Sequence, residues 1–153
     1  MPTAPGRHPS GPGTGADAVF QIDARGRPES VWDVLTSPVT TRQFLGASLA
    51  STWEPGAAVE GWRDGDHVLR GEVLFSQCPN RLTYALGVED GQPEVYVTWS
   101  ISSSAYGTVV GLDLDEGVVD VDDGLDGLEQ AWLPVVSALE GLLATLPPWP
   151  AAR

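Results

Sequence analysis

Side chains able to do covalent or acid–base chemistry are sparse in this sequence and do not cluster. The one cysteine, Cys78, precedes Pro79 in a turn and has no neighbouring residue type that would stabilise a thiolate. His8 and His67 lie far apart, so no His/Cys zinc set is spaced along the chain. The carboxylates of "DLDEGVVDVDDGLDGLE" invite a calcium reading, but "DVDDGLD" puts Gly124 where a ligand belongs and supplies no closing Glu. Neither a metal nor another cofactor is expected. The acidic run reads instead as a solvated loop, with Asp122 or Asp123 capping the helix that follows. General acid–base catalysis needs a titratable group placed in a pocket. Two groups stay in view: Tyr84, whose hydroxyl seeks a partner when buried, and Glu60, which shares a strand side with Trp62 and turns inward if that indole does. No catalytic set is assigned.

Binding chemistry is better supplied. Trp53, Trp62, Tyr84, Trp99 and Trp132 are many large aromatics for one small domain, and such rings either fill a core or line an apolar pocket. With Phe75, Val97, Leu112, Leu128 and Val136 they form the expected lining of a cavity for a small apolar or aromatic molecule. Packing alone is the competing explanation, because a fold needs a core before it has a cavity.

The composition narrows the partners. The 153 residues, 42% apolar and 19% charged, fit one domain with a core of its own. Twenty-one acidic residues against eight basic ones give a net charge of -13. Such a chain is repelled by phosphate backbones and anionic membrane surfaces, which argues against nucleic acid as a partner. A single cysteine forms no internal disulfide and suits a reducing compartment. The opening "MPTAPGRHPSGPGTGADA" lacks the apolar run of a signal peptide, and no segment approaches the ~18 apolar residues of a membrane helix. A cytoplasmic protein without membrane insertion is expected.

These side chains must be positioned by short elements. Residues 1–15, rich in Pro, Gly, Thr and Ser, read as a disordered arm, 16–147 as the domain and 148–153 as a tail. "AVFQIDA" reads as a strand that breaks at "RGRP". Pro28 suits a first helical turn, Val31, Trp32 and Leu35 share one helix face, and Pro38 ends that helix at Ser37. "VTTRQFLG" reads as a second short helix closed by Gly46. Six strands then follow: "ASLASTWE", "AAVEGW", "HVLRGEVLFS", "RLTYALGV", "EVYVTWSIS" and "TVVGLDLD", too closely spaced for anything but an antiparallel meander. Alternation puts Leu69, Val73 and Phe75 on one side of their strand. It does the same for Leu82, Tyr84 and Leu86, for Val95, Val97, Trp99 and Ile101, and for Val110, Leu112 and Leu114. Arg70, Glu72, Thr98, Ser100, Asp113 and Asp115 fall on the opposite, wet side. From Leu125 to Leu146 apolar residues recur with helical period, which predicts a long amphipathic helix over the covered face, bent or loosened near Gln130 by Pro134.

This order of elements resembles the helix-grip fold of the SRPBCC, or START-like, superfamily. "FQIDARGRPESVWDVLTSPVTTRQFLG", "WEPGAAVEGW", "GEVLFSQCPNRLTYAL", "VTWSI" and "AWLPVVSALEGLLA" are similar, in the same order, to blocks of the branch related to the activator of heat-shock protein 90 ATPase. The resemblance covers roughly residues 18–146. It implies an α+β fold: a seven-stranded curved antiparallel sheet, two short helices and a long C-terminal helix enclosing a cavity. Members of the superfamily bind lipids, sterols, polyketides or other apolar molecules there, and some are cyclases or hydrolases. Three functions follow as expectations. The first is a binder of a small apolar or aromatic ligand, the second a cyclase- or hydrolase-like enzyme using the same cavity, and the third a co-chaperone-like module with a protein partner.

Overall fold

The computed structural model describes residues 17–87, 95–104, 107–116 and 124–147, without the side chains of Asp17, Ser104, Glu116 and residues 124–131. The expected arm (1–15), tail (148–153) and helix cap at Asp122 or Asp123 lie outside the described residues. The elements are β1 (Asp17–Ala24), α1 (Pro28–Thr36), α2 (Pro38–Leu45), β2 (Ser48–Ala50), β3 (Ala58–Arg63), β4 (Asp66–Gln77), β5 (Arg81–Gly87), β6 (Val95–Ser104), β7 (Gly107–Glu116) and α3 (Gly124–Leu143). The seven strands form one antiparallel sheet in the order β1-β7-β6-β5-β4-β3-β2. Five hairpin connections build the meander, and β1 closes onto the last strand. With three helices on one face, this is the α+β helix-grip architecture that the sequence leads one to expect.

The two short helices are set by their prolines. Pro28 stands at the start of α1, where its missing N–H costs nothing. Ser37 is extended (φ -85°, ψ 134°), the geometry that Pro38 imposes on the residue before it, so α1 ends and α2 begins at one residue. Gly46, at φ 83°, closes α2 in the left-handed conformation, with its N–H donated to the Arg42 carbonyl. Thr41, fully buried, accepts the Leu49 N–H at 2.9 Å and so fastens α2 to β2. At the other end of the sheet, Thr108 Oγ1 donates to the Gly26 carbonyl at 2.6 Å and ties β7 to the turn between β1 and α1.

The covered face reads as the alternation predicts for β5, β6 and β7. Leu82, Tyr84 and Leu86, then Val97, Trp99 and Ile101, then Val110, Leu112 and Leu114 are all buried. On α3, Val136, Leu139 and Leu143 face this core, and the helix packs against β1 and α2. The helix continues through Pro134 and stops at Leu143, short of the expected Leu146. Beyond it, the N–H groups of Thr145 and Leu146 donate to the carbonyls of Leu142 and Leu143, a tighter turn that finishes the element.

β4 departs from simple alternation. Its pairing with β5 shifts between Val73 and Phe75, so that Val73 faces Tyr84, Phe75 faces Thr83 and Ser76 faces Leu82. The extra residue, Leu74, flips everything after it to the other side of the sheet. Val73 is buried, whereas Phe75 is 45% exposed on the convex face. Phe75 therefore does not line the covered face, which corrects the sequence expectation. A second shift, between Gly61 and Trp62, pairs Gly61 with Leu69 but Trp62 with His67.

Candidate functional site

The concave face carries an aromatic cluster built from four elements. Tyr84 on β5 and Trp99 on β6 are both without solvent-accessible surface. The Trp99 indole N–H donates to the Tyr84 hydroxyl at 3.0 Å, so the two polar atoms of this apolar wall satisfy one another. Phe44 of α2 meets Trp99 edge to face, with ring centroids 6.2 Å apart. Trp53, in the connection from β2 to β3, lies over Tyr84 with centroids 5.5 Å apart and an interplanar angle of 57°. Burial pushes the Tyr84 phenol up to about 12, opposed by its hydrogen bond to Trp99. At neutral pH the group is a neutral hydroxyl, suited to hydrogen bonding and unsuited to acting as a base.

Trp53 is the exposed member of the cluster. It is half-buried and takes φ 62°, a left-handed backbone conformation that a bulky L residue adopts only when its surroundings fix it. Two contacts do so: the ring on Tyr84, and the Trp53 N–H donated to Ser51 Oγ at 3.0 Å. The connection is further pinned to β4 by the Gly56 N–H donated to the Val73 carbonyl and the Val73 N–H donated to the Ala57 carbonyl.

Of the residues expected to line a cavity, Tyr84, Val97, Trp99, Leu112 and Val136 are buried on the concave side, and Trp53 and Trp132 are half-buried against the same core. The Leu128 side chain lies outside the described residues. Trp62, 41% exposed, stands on the convex face with Glu60, because Gly61 between them points inward against Leu49 and Leu69. Glu60 and Trp62 thus share a strand side as the sequence indicates, but that side is the outer one. The inward carboxylate considered for acid–base work is absent from the concave wall.

The convex face holds a group that the sequence reading did not assemble. The turn Asp64-Gly65, with φ of 53° and 88°, is the two-residue hairpin that "DG" favours, and it sets Trp62 opposite His67. The His67 ring lies 4.6 Å from the Trp62 indole, its Nε2 is 3.5 Å from Glu60 Oε1, and its Nδ1 is 3.4 Å from Arg70 Nη2. The signal was available in that dipeptide, since a two-residue turn fixes which residues of its two strands meet. Elsewhere, burial and then the charges of Asp33 and Glu29 push the Cys78 thiol up, which leaves it a poor nucleophile. Among the described residues no group of three or more His, Cys, Asp or Glu is placed to hold a metal ion, and no helix is long and apolar enough to cross a membrane.

Solved structures share this architecture. Protein MLL2253 from Mesorhizobium loti is 22% identical, with a TM-score of 0.68 over 83% of this chain and 96% of that one. CalU16 from Micromonospora echinospora is 18% identical, with a TM-score of 0.65 over 84% of this chain and 76% of that one. DynU16, a protein in the dynemicin biosynthetic locus, is 24% identical, with a TM-score of 0.68 over 88% of this chain but only 48% of that one. At these identities the likeness establishes the fold. No curated protein matches the chain. The family described as activator of Hsp90 ATPase homolog 1-like protein matches residues 25–144, the span that holds both short helices, the meander and α3, and the chain belongs to that family.

Proposed function

We propose that the protein binds a small hydrophobic or aromatic molecule between the sheet and α3, against the wall formed by Tyr84 and Trp99. The observation that carries this reading is Trp53: a strained, half-buried indole laid over a tyrosine whose hydroxyl sits inside an apolar wall. A ring that holds an unfavourable backbone conformation to cover a polar handle occupies the place a flat ligand would take. Displacing it relieves the backbone and opens the face of Tyr84. Binding without covalent chemistry is favoured over a cyclase or hydrolase, because Tyr84 stays protonated and Glu60 is on the other face. The occurrence of a similar fold in a biosynthetic locus agrees with a small organic ligand and names none.

The test is native mass spectrometry of the purified protein against its denatured mass, paired with dye binding by wild type and Trp53→Gly. Glycine suits φ 62° and removes the cover, so the variant should take up hydrophobic dyes more strongly than wild type. A co-purified apolar compound, lost on denaturation, is the expected companion result. A protein that carries nothing and, in both forms, ignores a panel of dyes and lipids overturns the reading and leaves the protein-interaction function in its place.

A further inference from the structure

A second concavity lies on the opposite face of the sheet. Ala50, Ser51, Thr52, Ala57, Ala58, Glu60 and Trp62 line an open groove of about 380 Å³. The pairing explains its shape: Ala50 stands opposite Glu60, and Ser48 opposite Trp62, at the short edge strand β2. The floor is therefore methyl groups and small hydroxyls, with one indole and one carboxylate rising beside it. Both are open to solvent, Trp62 at 41% and the Glu60 side chain at 46%.

The groups behind this pair hold it in place. A guanidinium only donates hydrogen bonds, so Arg70 Nη2 at 3.4 Å makes His67 Nδ1 an acceptor and puts the proton of the neutral ring on Nε2. That nitrogen is buried, has no hydrogen-bond partner, and lies 3.5 Å from Glu60 Oε1. His67 thereby backs the Trp62 ring and faces the Glu60 carboxylate without forming the short bond that would satisfy it. With nearly half of its side chain exposed, the carboxylate is accessible to a cation arriving from the groove.

We propose that this convex groove is a binding site for a small organic ammonium ion. The face of an indole attracts a cation, a carboxylate beside it supplies the opposite charge, and an alanine floor accepts the alkyl groups that a metal ion or a hydrated inorganic cation lacks. An anion is disfavoured by Glu60 and by a chain carrying a net charge of -13. The volume falls in the range of small-molecule sites. The site opens on the face opposite the concave wall, and its Ser51 and Thr52 belong to the connection that carries Trp53.

Choline is the probe, its uncharged carbon isostere the control, and the readout is the set of indole N–H signals of 15N-labelled full-length protein, with Trp62 assigned from Trp62→Phe. Choline should shift the Trp62 signal saturably, and the isostere should not. Glu60→Gln, a same-size change at a half-exposed position, should weaken the response about fivefold while leaving the spectrum otherwise folded. Equal shifts from the isostere, an unchanged response in Glu60→Gln, binding of oligolysine without binding of choline, or no saturable shift would each overturn the proposal.

Discussion

At the scale of the residue, Tyr84 is the centre of the concave wall, and its protonation state is a stability statement. The fold holds the phenol at about 12 against the ordinary 10.0, chiefly by burial. A group whose acidity is suppressed in the folded state favours folding fully below its unfolded pKa, and the advantage is lost as the pH rises through the folded value. The window is therefore about pH 10 to 12, and the loss across it is on the order of 2–3 kcal/mol. Tyr84→Phe removes this alkaline sensitivity but also strips the Trp99 indole N–H of its acceptor in a site without solvent. The variant should therefore be less stable at neutral pH by ~1–3 kcal/mol. Denaturant unfolding at pH 7 and thermal unfolding from pH 9 to 12 check both parts. Equal stability at pH 7, or an alkaline decline as steep in the variant as in the wild type, contradicts this account.

At the scale of the element, β4 decides what faces where, and Gly71 decides whether β4 can pair. A Cβ on Gly71 would fall far inside van der Waals contact with the Ala85 carbonyl oxygen on β5, and backbone on both strands would have to move. Gly71→Ala should therefore lower stability by ~3 kcal/mol or more, beyond ordinary overpacking, because the clash is with backbone rather than with a side chain that can rotate. Equilibrium unfolding measures it, and a loss below about 1 kcal/mol would show that the two strands separate freely here. This same strand marks where reading the sequence stops working. Period-two alternation located the buried sides of β5, β6 and β7 because each keeps its register throughout. It misplaced Phe75 because a bulge at Leu74 is one extra residue with no composition of its own, and one residue is enough to exchange faces. The helix boundaries were legible for the opposite reason: Pro28, Pro38 and Gly46 each impose a local geometry that packing does not override. The strain at Trp53 was not legible, since a tryptophan carries no signal for positive φ and is held there by contacts from Tyr84 and Ser51.

At the scale of the whole molecule, the dominant quantity is charge. Twenty-one carboxylates against eight basic residues leave -13 to be held within one small domain. The Arg42–Asp64 contact at 3.3 Å joins side chains that are 54% and 74% exposed, and such pairs contribute little in water. A net charge of this size opposes the compact state through self-repulsion. Salt shortens the reach of that repulsion to about 8 Å at physiological ionic strength and further above it. Sodium chloride, raised from a few millimolar to several hundred millimolar, should raise the melting temperature by ~2 °C or more. The same addition should weaken choline at the convex groove, because an ammonium ion is drawn by the field that salt screens. The two trends run in opposite directions from one cause, which separates them from a general salting-out effect: that would strengthen burial and leave the ammonium site unchanged. A melting temperature that falls with chloride would mean that the carboxylates are held by favourable pairing throughout the domain, and that net charge is not what limits its stability.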